Sequence, residues 1–376
     1  MASAFLYRTQ TTGTSTKKFT FSCWAKLDGK AGVQGLLSTS NGWADGTGFA
    51  LAFSSREFRP YNGATGAGGG NMNKIITTGT QARIFADSAA WMHLHFQADT
   101  DESAIADRLK IYINGELQTV IQHSGSTLNY PAQGASWQNL GVNGQTMQVG
   151  RASYSGSHYF GGQLAHVHFA DGQAYAPTVF GETDSTTGIW KPITSPTVTY
   201  GNNGFFLKFD NSANMGLDSA GSNNLTVSGT IVQRKDTPTN NMAQLNGRDN
   251  FIANTTLSNA GSTAATNQSA YAWLPTTMGM QSGKYYFETK LVSAVGSSNY
   301  ALVGIVGNQL TASNDYLGKV NGTIAYYGQS GAYNESSSVT QTSDYASYTA
   351  GDIIGVALDL DNFKLYFSKN GTWQNS

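Results

Sequence analysis

The sequence predicts an all-β protein of tandem antiparallel β-sandwiches, and three observations carry that expectation. Apolar and polar residues alternate with period two along segment after segment. Eight Asn-Gly pairs punctuate them, and both residues tolerate the positive φ that a type I′ hairpin turn requires. One strand-and-turn pattern also occurs twice. Leu109-Lys110-Ile111-Tyr112-Ile113-Asn114-Gly115 is echoed by Phe363-Lys364-Leu365-Tyr366-Phe367, which runs on to Asn370-Gly371.

The elements follow in order. Residues 19–27 alternate from Phe19 to Leu27 and read as a strand. Leu36-Leu37 and Phe49-Ala50-Leu51-Ala52-Phe53 come next, separated by the Asn41-Gly42 turn. Residues 62–73 are a Gly- and Asn-rich loop. Trp91-Met92-His93-Leu94-His95-Phe96 is another strand, followed by the Tyr112 hairpin, by Met147-Gln148-Val149, and by Gln163-Leu164-Ala165-His166-Val167-His168-Phe169. The segment Phe205-Phe206-Leu207-Lys208-Phe209 reads as a strand returning to the first unit. Asp218-Ser219-Ala220-Gly221 and Asp236-Thr237-Pro238-Thr239 read as turn-rich bridges. A second unit opens near residue 270 with strands at Tyr285-Tyr286-Phe287-Glu288, Leu302-Val303-Gly304-Ile305 and Ile353-Ile354-Gly355-Val356. No stretch carries a long helical period with caps.

Composition narrows the partners. Charged residues make up 12% of the 376, about half the usual share of roughly 25%. The surface is therefore polar but weakly charged, as in adhesins, virion proteins and lectin-like sandwiches. The net charge of −1 with no basic block argues against nucleic acid, which needs concentrated positive charge. No segment is apolar for long enough to span a membrane, and the first residues do not read as a signal peptide. The single cysteine, Cys23, reads as a small buried hydrophobe.

The order of the early segments resembles a laminin-G/concanavalin-A-like sandwich. Ser22-Cys23-Trp24, Trp91-Met92-His93, Tyr112-Ile113-Asn114-Gly115, Gly150-Arg151 and Phe160-Gly161-Gly162 match its pattern in sequence. The later part resembles a SPRY (B30.2) domain through Gly283-Lys284-Tyr285-Tyr286-Phe287-Glu288, Gly351-Asp352-Ile353-Ile354-Gly355-Val356 and Tyr366-Phe367 before Asn370-Gly371. These resemblances imply a concanavalin A-like sandwich over 1–195, a connector over 196–265 and a SPRY-like sandwich over 266–376 that stops short of the family's last strands. The linker wording resembles that of marine tailed-phage structural proteins. It implies a non-enzymatic protein of the virion surface (a capsid decoration, head-fibre or tail-fibre component), partnered by other virion proteins, assembled as a homo-oligomer and able to adhere to host-surface glycans. A secreted carbohydrate-binding module or glycan-active enzyme, and a cytoplasmic SPRY-type adaptor, are the competing readings.

Candidate chemistry is sparse. Glycoside hydrolysis needs two facing carboxylates, and the six glutamates, Glu57, Glu102, Glu116, Glu182, Glu288 and Glu335, are isolated from one another. No catalytic residue and no cofactor is expected. The run Asp99, Asp101, Glu102 reads as a solvated turn, with calcium as the one ion its oxygens suit. His93/His95 and His166/His168 each share a strand face by alternation, but no third ligand at metal-binding spacing accompanies them. The candidate glycan-binding residues are Trp43, Tyr61, Trp137, Tyr154 and Tyr159. All lie in or beside Gly/Asn/Ser-rich loops, where an aromatic ring can stack on the apolar face of a sugar.

Overall fold

The computed structural model describes residues 4–27, 32–40, 48–54, 57–62, 90–119, 130–152, 158–185, 188–246, 255–258, 261–266, 271–296, 299–307, 315–335, 338–342 and 345–374. The chain divides into two compact units, Met1–Met242 and Ala243–Ser376. Both are antiparallel β-structure, and the described residues contain no α-helix.

The first unit holds β1 (Phe5–Thr9), β2 (Lys18–Lys26), β3 (Val33–Ser40), β4 (Phe49–Ser54), β5 (Glu57–Asn62), β6 (Met92–Asp99), β7 (Leu109–Ile113), β8 (Glu116–Leu117), β9 (Thr146–Val149), β10 (Gln163–Asp171), β11 (Gly181–Thr183), β12 (Trp190–Pro192), β13 (Phe205–Leu207) and β14 (Thr226–Ser228). One sheet runs β14-β1-β9-β3-β4-β5 and the other β13-β10-β2-β6-β7-β8. Alternation sends Phe19, Phe21 and Cys23 of β2, Leu94 and Phe96 of β6, and Val167 and Phe169 of β10 into the core between the sheets, against Leu37, Leu51, Met147 and Val149. Each large side chain so buried contributes roughly 1.5–3 kcal/mol. Cys23 is buried and unbridged, and burial pushes its thiol up.

The second face of the β2 sheet departs from a plain two-layer pattern. Thr20, Ser22, Trp24 and Lys26 point away from the core by alternation, yet all four are buried. Residues 172–185 and 188–200 lie over Thr20 and Trp24 as a strap. Gln173 O accepts from Thr20 Oγ1 at 2.8 Å, and Thr20 Oγ1 accepts from Tyr175 N at 2.8 Å. The end of the unit is tied down as well. Lys26 Nζ donates to Asp236 Oδ2 at 2.7 Å and to Asn241 Oδ1 at 2.7 Å, and Trp91 Nε1 donates to Asp236 Oδ1 at 3.0 Å.

The second unit holds β15 (Thr255–Ser258) and β16 (Thr263–Thr266), which pair with each other, then β17 (Lys284–Lys290), β18 (Leu302–Val306), β19 (Thr323–Tyr327), β20 (Tyr333–Glu335), β21 (Ser338–Thr342), β22 (Ile353–Asp359), β23 (Lys364–Lys369) and β24 (Thr372–Trp373). Its four-stranded sheets are β17-β22-β23-β24 and β18-β19-β20-β21. Ile354, Val356 and Phe367 from the first meet Tyr326, Val303, Ile305 and Ile324 from the second in one core. Tyr348 locks it, its hydroxyl donating to Ala301 O at 2.9 Å.

The two echoed hairpins adopt the same turn. Asn114 and Gly115 have φ of 50° and 83°, and Asn370 and Gly371 have 49° and 82°, the left-handed pair of a type I′ turn. Each Asn also reaches the neighbouring strand in the same way. Asn114 Oδ1 accepts from His93 N at 2.8 Å, and Asn370 Oδ1 accepts from Ile353 N at 2.9 Å.

Candidate functional site

The strands of the β17 sheet are not polar on their outer face. Phe287, Val356 and Phe367 are cross-strand neighbours facing the core. One step along, Tyr286, Ala357 and Tyr366 are neighbours on the opposite side, and Glu288, Gly355, Ser368 and Trp373 form the next row. Tyr286 is 54% exposed, Tyr366 40% and Trp373 47%. The indole of Trp373 meets the Tyr286 ring at 6.3 Å and 68°, and the Tyr366 ring at 6.4 Å and 74°. This places three half-exposed aromatic rings on a rigid sheet. Their polar rim carries Glu288, whose Oε1 accepts the Tyr286 hydroxyl at 2.8 Å, and Lys284, whose Nζ lies 2.7 Å from Asp359 Oδ2. The bond to Glu288 holds the Tyr286 phenol above its ordinary pKa.

None of these three rings is among the residues singled out for glycan contact from the sequence. The legible signal was an aromatic where alternation assigns a solvent-facing position: Tyr286 between Tyr285 and Phe287, and Tyr366 between Leu365 and Phe367. Of the five residues that were singled out, Trp43 and Tyr154 lie outside the described residues. Trp137 is corrected outright. It is 1% exposed, packed edge-on against Phe19 at 5.5 Å and Phe49 at 5.1 Å, and its Nε1 donates to Lys17 O. Its Gly- and Asn-rich surroundings suggested a surface loop, but the segment dips into the core and leaves no ring face for a ligand. Tyr61 packs partly buried beside Ala50, Ala52 and Ala152. Tyr159 lies 6.0 Å from Phe5, with the buried Arg151 guanidinium 5.3 Å over its ring.

His93, His95 and His168 form a buried polar layer beneath the strap. Phe206, His168, Ser22, His95 and Tyr112 follow one another across five strands. Trp190 Nε1 donates to His93 Nδ1 at 3.0 Å, so the ring proton of neutral His93 sits on Nε2 and donates to Ser22 Oγ at 2.7 Å. His95 Nε2 donates to Tyr175 O at 2.9 Å, and His168 Nδ1 lies 2.8 Å from the Tyr200 hydroxyl. Three imidazoles therefore each hold one residue of the strap. Burial drives all of them toward the neutral form: His95 falls to about 4, and His93 and His168 fall well below the usual histidine range. A bulge between Ala165 and His168 leaves His166 at φ 46°, where both His166 and His168 stack on Phe206. Among the described residues no group of three or more His, Cys, Asp or Glu is placed to hold a metal.

The acidic run is the solvated turn expected of it at Asp101 and Glu102, which are exposed, but not at Asp99. Asp99 is buried and lies 2.6 Å from Lys18 Nζ, while Asp101 lies 3.1 Å from Lys17 Nζ. An open cleft of about 380 Å³ is lined by Tyr200, Asn202, Asp218, Ser222 and Asn223. Its one carboxylate is occupied internally, Asp218 accepting from the backbone N–H groups of Phe206, Ala220 and Asn223.

Both units are β-sandwiches of the kind that carry binding sites on a rigid core, and residues 284–375 match the SPRY domain family. No curated protein matches the chain. Among solved structures, a candidate carbohydrate-binding protein from Bacteroides ovatus is similar at 15% identity and a TM-score of 0.40, over 63% of this chain and 59% of that one. The match thus spans about three fifths of the length of that protein. A heptameric SAP-like pentraxin from Limulus polyphemus is similar at 14% identity and a TM-score of 0.26, over 46% of this chain and 72% of that one. The CBM40 of a Ruminococcus gnavus IT-sialidase is similar at 14% identity and a TM-score of 0.25, over 43% of this chain and 90% of that one.

Proposed function

We propose that this chain is a non-enzymatic bacteriophage protein of the virion surface, a capsid decoration or a head- or tail-fibre component, that adheres to glycans on the host. The observation that carries the binding half of this reading is the aromatic group Tyr286, Tyr366 and Trp373, half-exposed on the SPRY-matching unit. Exposed rings with a polar rim suit sugars, whose C–H faces stack on aromatic carbon while their hydroxyls take hydrogen bonds. The virion half rests on the sequence: a charge-poor, Asn/Gly/Thr-rich chain whose linkers resemble phage structural proteins. Single contacts of this kind are weak, and many copies on one particle, assembled with other virion proteins, would multiply them.

Two measurements test the two halves. A glycan panel probed with the intact protein should show binding without turnover; release of any sugar product would replace this reading with that of a glycan-active enzyme. Mass spectrometry of purified phage particles encoding the chain should find it in multiple copies. Absence from particles, together with capture of soluble host proteins through the SPRY-matching unit, would favour the adaptor reading.

A further inference from the structure

Resting on the glycan-binding reading above, we propose that the Tyr286 ring is the floor of a subsite for one neutral pyranose, and that Gly355 and Glu288 are the residues that position it. Gly355 sits between Glu288 and Ser368 on the outer face of the sheet. A Cβ there would lie 2.5 Å from Tyr286 Oη, 3.1 Å from Tyr286 Cε2 and 2.4 Å from Ser368 Oγ. The phenol therefore lies down across the glycine, along the sheet, instead of standing away from it. It is nonetheless 54% exposed, so the face turned from the strand is open.

The ring is held at its far end too. Its hydroxyl donates to Glu288 Oε1 at 2.8 Å and accepts from the Ser368 hydroxyl. A ring fixed in this way loses little freedom when a ligand stacks on it. Trp373, paired across from Ser368, rises beside the floor at 68°. Floor and wall make a corner that fits a six-membered saturated ring with one C–H face.

Charge selects within the sugars. The carboxylate nearest the floor is Glu288, bonded to the floor's own hydroxyl. It accepts sugar hydroxyls and repels a sugar carboxylate. Lys284 is drawn to Asp359 at 2.7 Å. Lys364 stands directly across from the same Asp359, and Lys290 lies two residues along its strand from Glu288, so Glu288 is the outer-face charge bonded to the floor itself. The class expected is a neutral hexopyranoside.

The test uses the full chain, with lactose, cellobiose and maltose as neutral probes and 3′-sialyllactose as the acidic one. Affinity and the Trp373 indole N–H resonance are read together. At least one neutral disaccharide should bind and shift that resonance. Tyr286→Ala should weaken it about tenfold, the equivalent of one stacking contact. Gly355→Ala should weaken it similarly by lifting the ring, and Glu288→Gln should narrow the preference for neutral over sialylated sugar. Tyr286→Phe, which leaves the strand untouched, serves should Gly355→Ala fail to fold, and should give a smaller loss. Sialyllactose binding tighter than every neutral probe would overturn the class. Saccharide binding unaffected by Tyr286→Ala would overturn the subsite while leaving the glycan reading standing. Failure of every saccharide to bind the wild-type protein would sink both.

Discussion

Trp190 Nε1 donates to His93 Nδ1 at 3.0 Å, and that bond fixes both the tautomer of the histidine and the position of the strap. The indole also sits against two glycines. A Cβ on Gly181 would lie 2.6 Å from its ring, and one on Gly115 would lie 2.8 Å away. Gly115 belongs to the type I′ turn after β7, so the hairpin that the sequence announces also makes room for the residue that closes the histidine layer.

Trp190→Phe keeps an aromatic ring, a smaller one, and deletes the donor, leaving His93 Nδ1 buried without its partner. The expected cost is about 1–3 kcal/mol, read as a lower chemical-denaturation midpoint at pH 7.5. Gly181→Ala should cost a similar amount, about 1–3 kcal/mol, through overpacking against the indole. Equal stability of either variant and the wild type would mean that the strap is not held there.

Acid should loosen the first unit. His95 and His166 have pKa values lowered from 6.5 to about 4, and those of His93 and His168 lie well below the usual histidine range, with desolvation by burial the leading cause in each. For His166 the positive Lys208 adds to that lowering, while Asp210 opposes it. The unfolded chain therefore takes up protons first. Stability is complete above about pH 6.5 and falls as the pH drops toward 4, by roughly 3 kcal/mol from His95 alone at the acid end. Thermal melts at pH 7.5, 6.0 and 4.5 should show a falling midpoint, and a flat profile would contradict the buried neutral assignment.

Lys26 and Asp236 form a buried ion pair at 2.7 Å, with Trp91 Nε1 on the second carboxylate oxygen. Asp236→Ala strands a buried ammonium and should cost about 3–5 kcal/mol. The double variant Lys26→Met with Asp236→Leu should recover much of that loss. A double-mutant cycle by urea denaturation gives the sign directly, and additive losses would show that the two residues act independently.

Trp137→Ala removes a core ring flanked by Phe19, Phe49 and Phe96. The expected loss is about 3–5 kcal/mol of stability, with glycan affinity of the folded fraction unchanged. A selective loss of binding at full stability would return this residue to the ligand site.

Strands were legible because period-two alternation and Asn-Gly turns are local, and Leu109 to Gly115 and Lys364 to Gly371 fold as written. Trp137 was misread because flanking glycine and asparagine report turns, not depth. The Phe19-Phe49-Phe96 nest that buries it comes from three distant segments. Asp236 read as part of a turn-rich bridge because its partner lies 210 residues away in β2. Tyr286 and Tyr366 carried a readable cue, an aromatic on the face that alternation leaves to solvent. Trp373 did not, since only the β23–β24 pairing brings it beside them.

The most direct measurement is an NMR titration of the intact protein with a neutral disaccharide, observing the indole N–H resonances. The Trp373 resonance should move in a saturable way while those of Trp137 and Trp91, buried in the first unit, stay in place. Movement confined to the first unit's indoles, with Trp373 unaffected by a sugar that binds, would contradict an aromatic floor on the outer face of the β17 sheet.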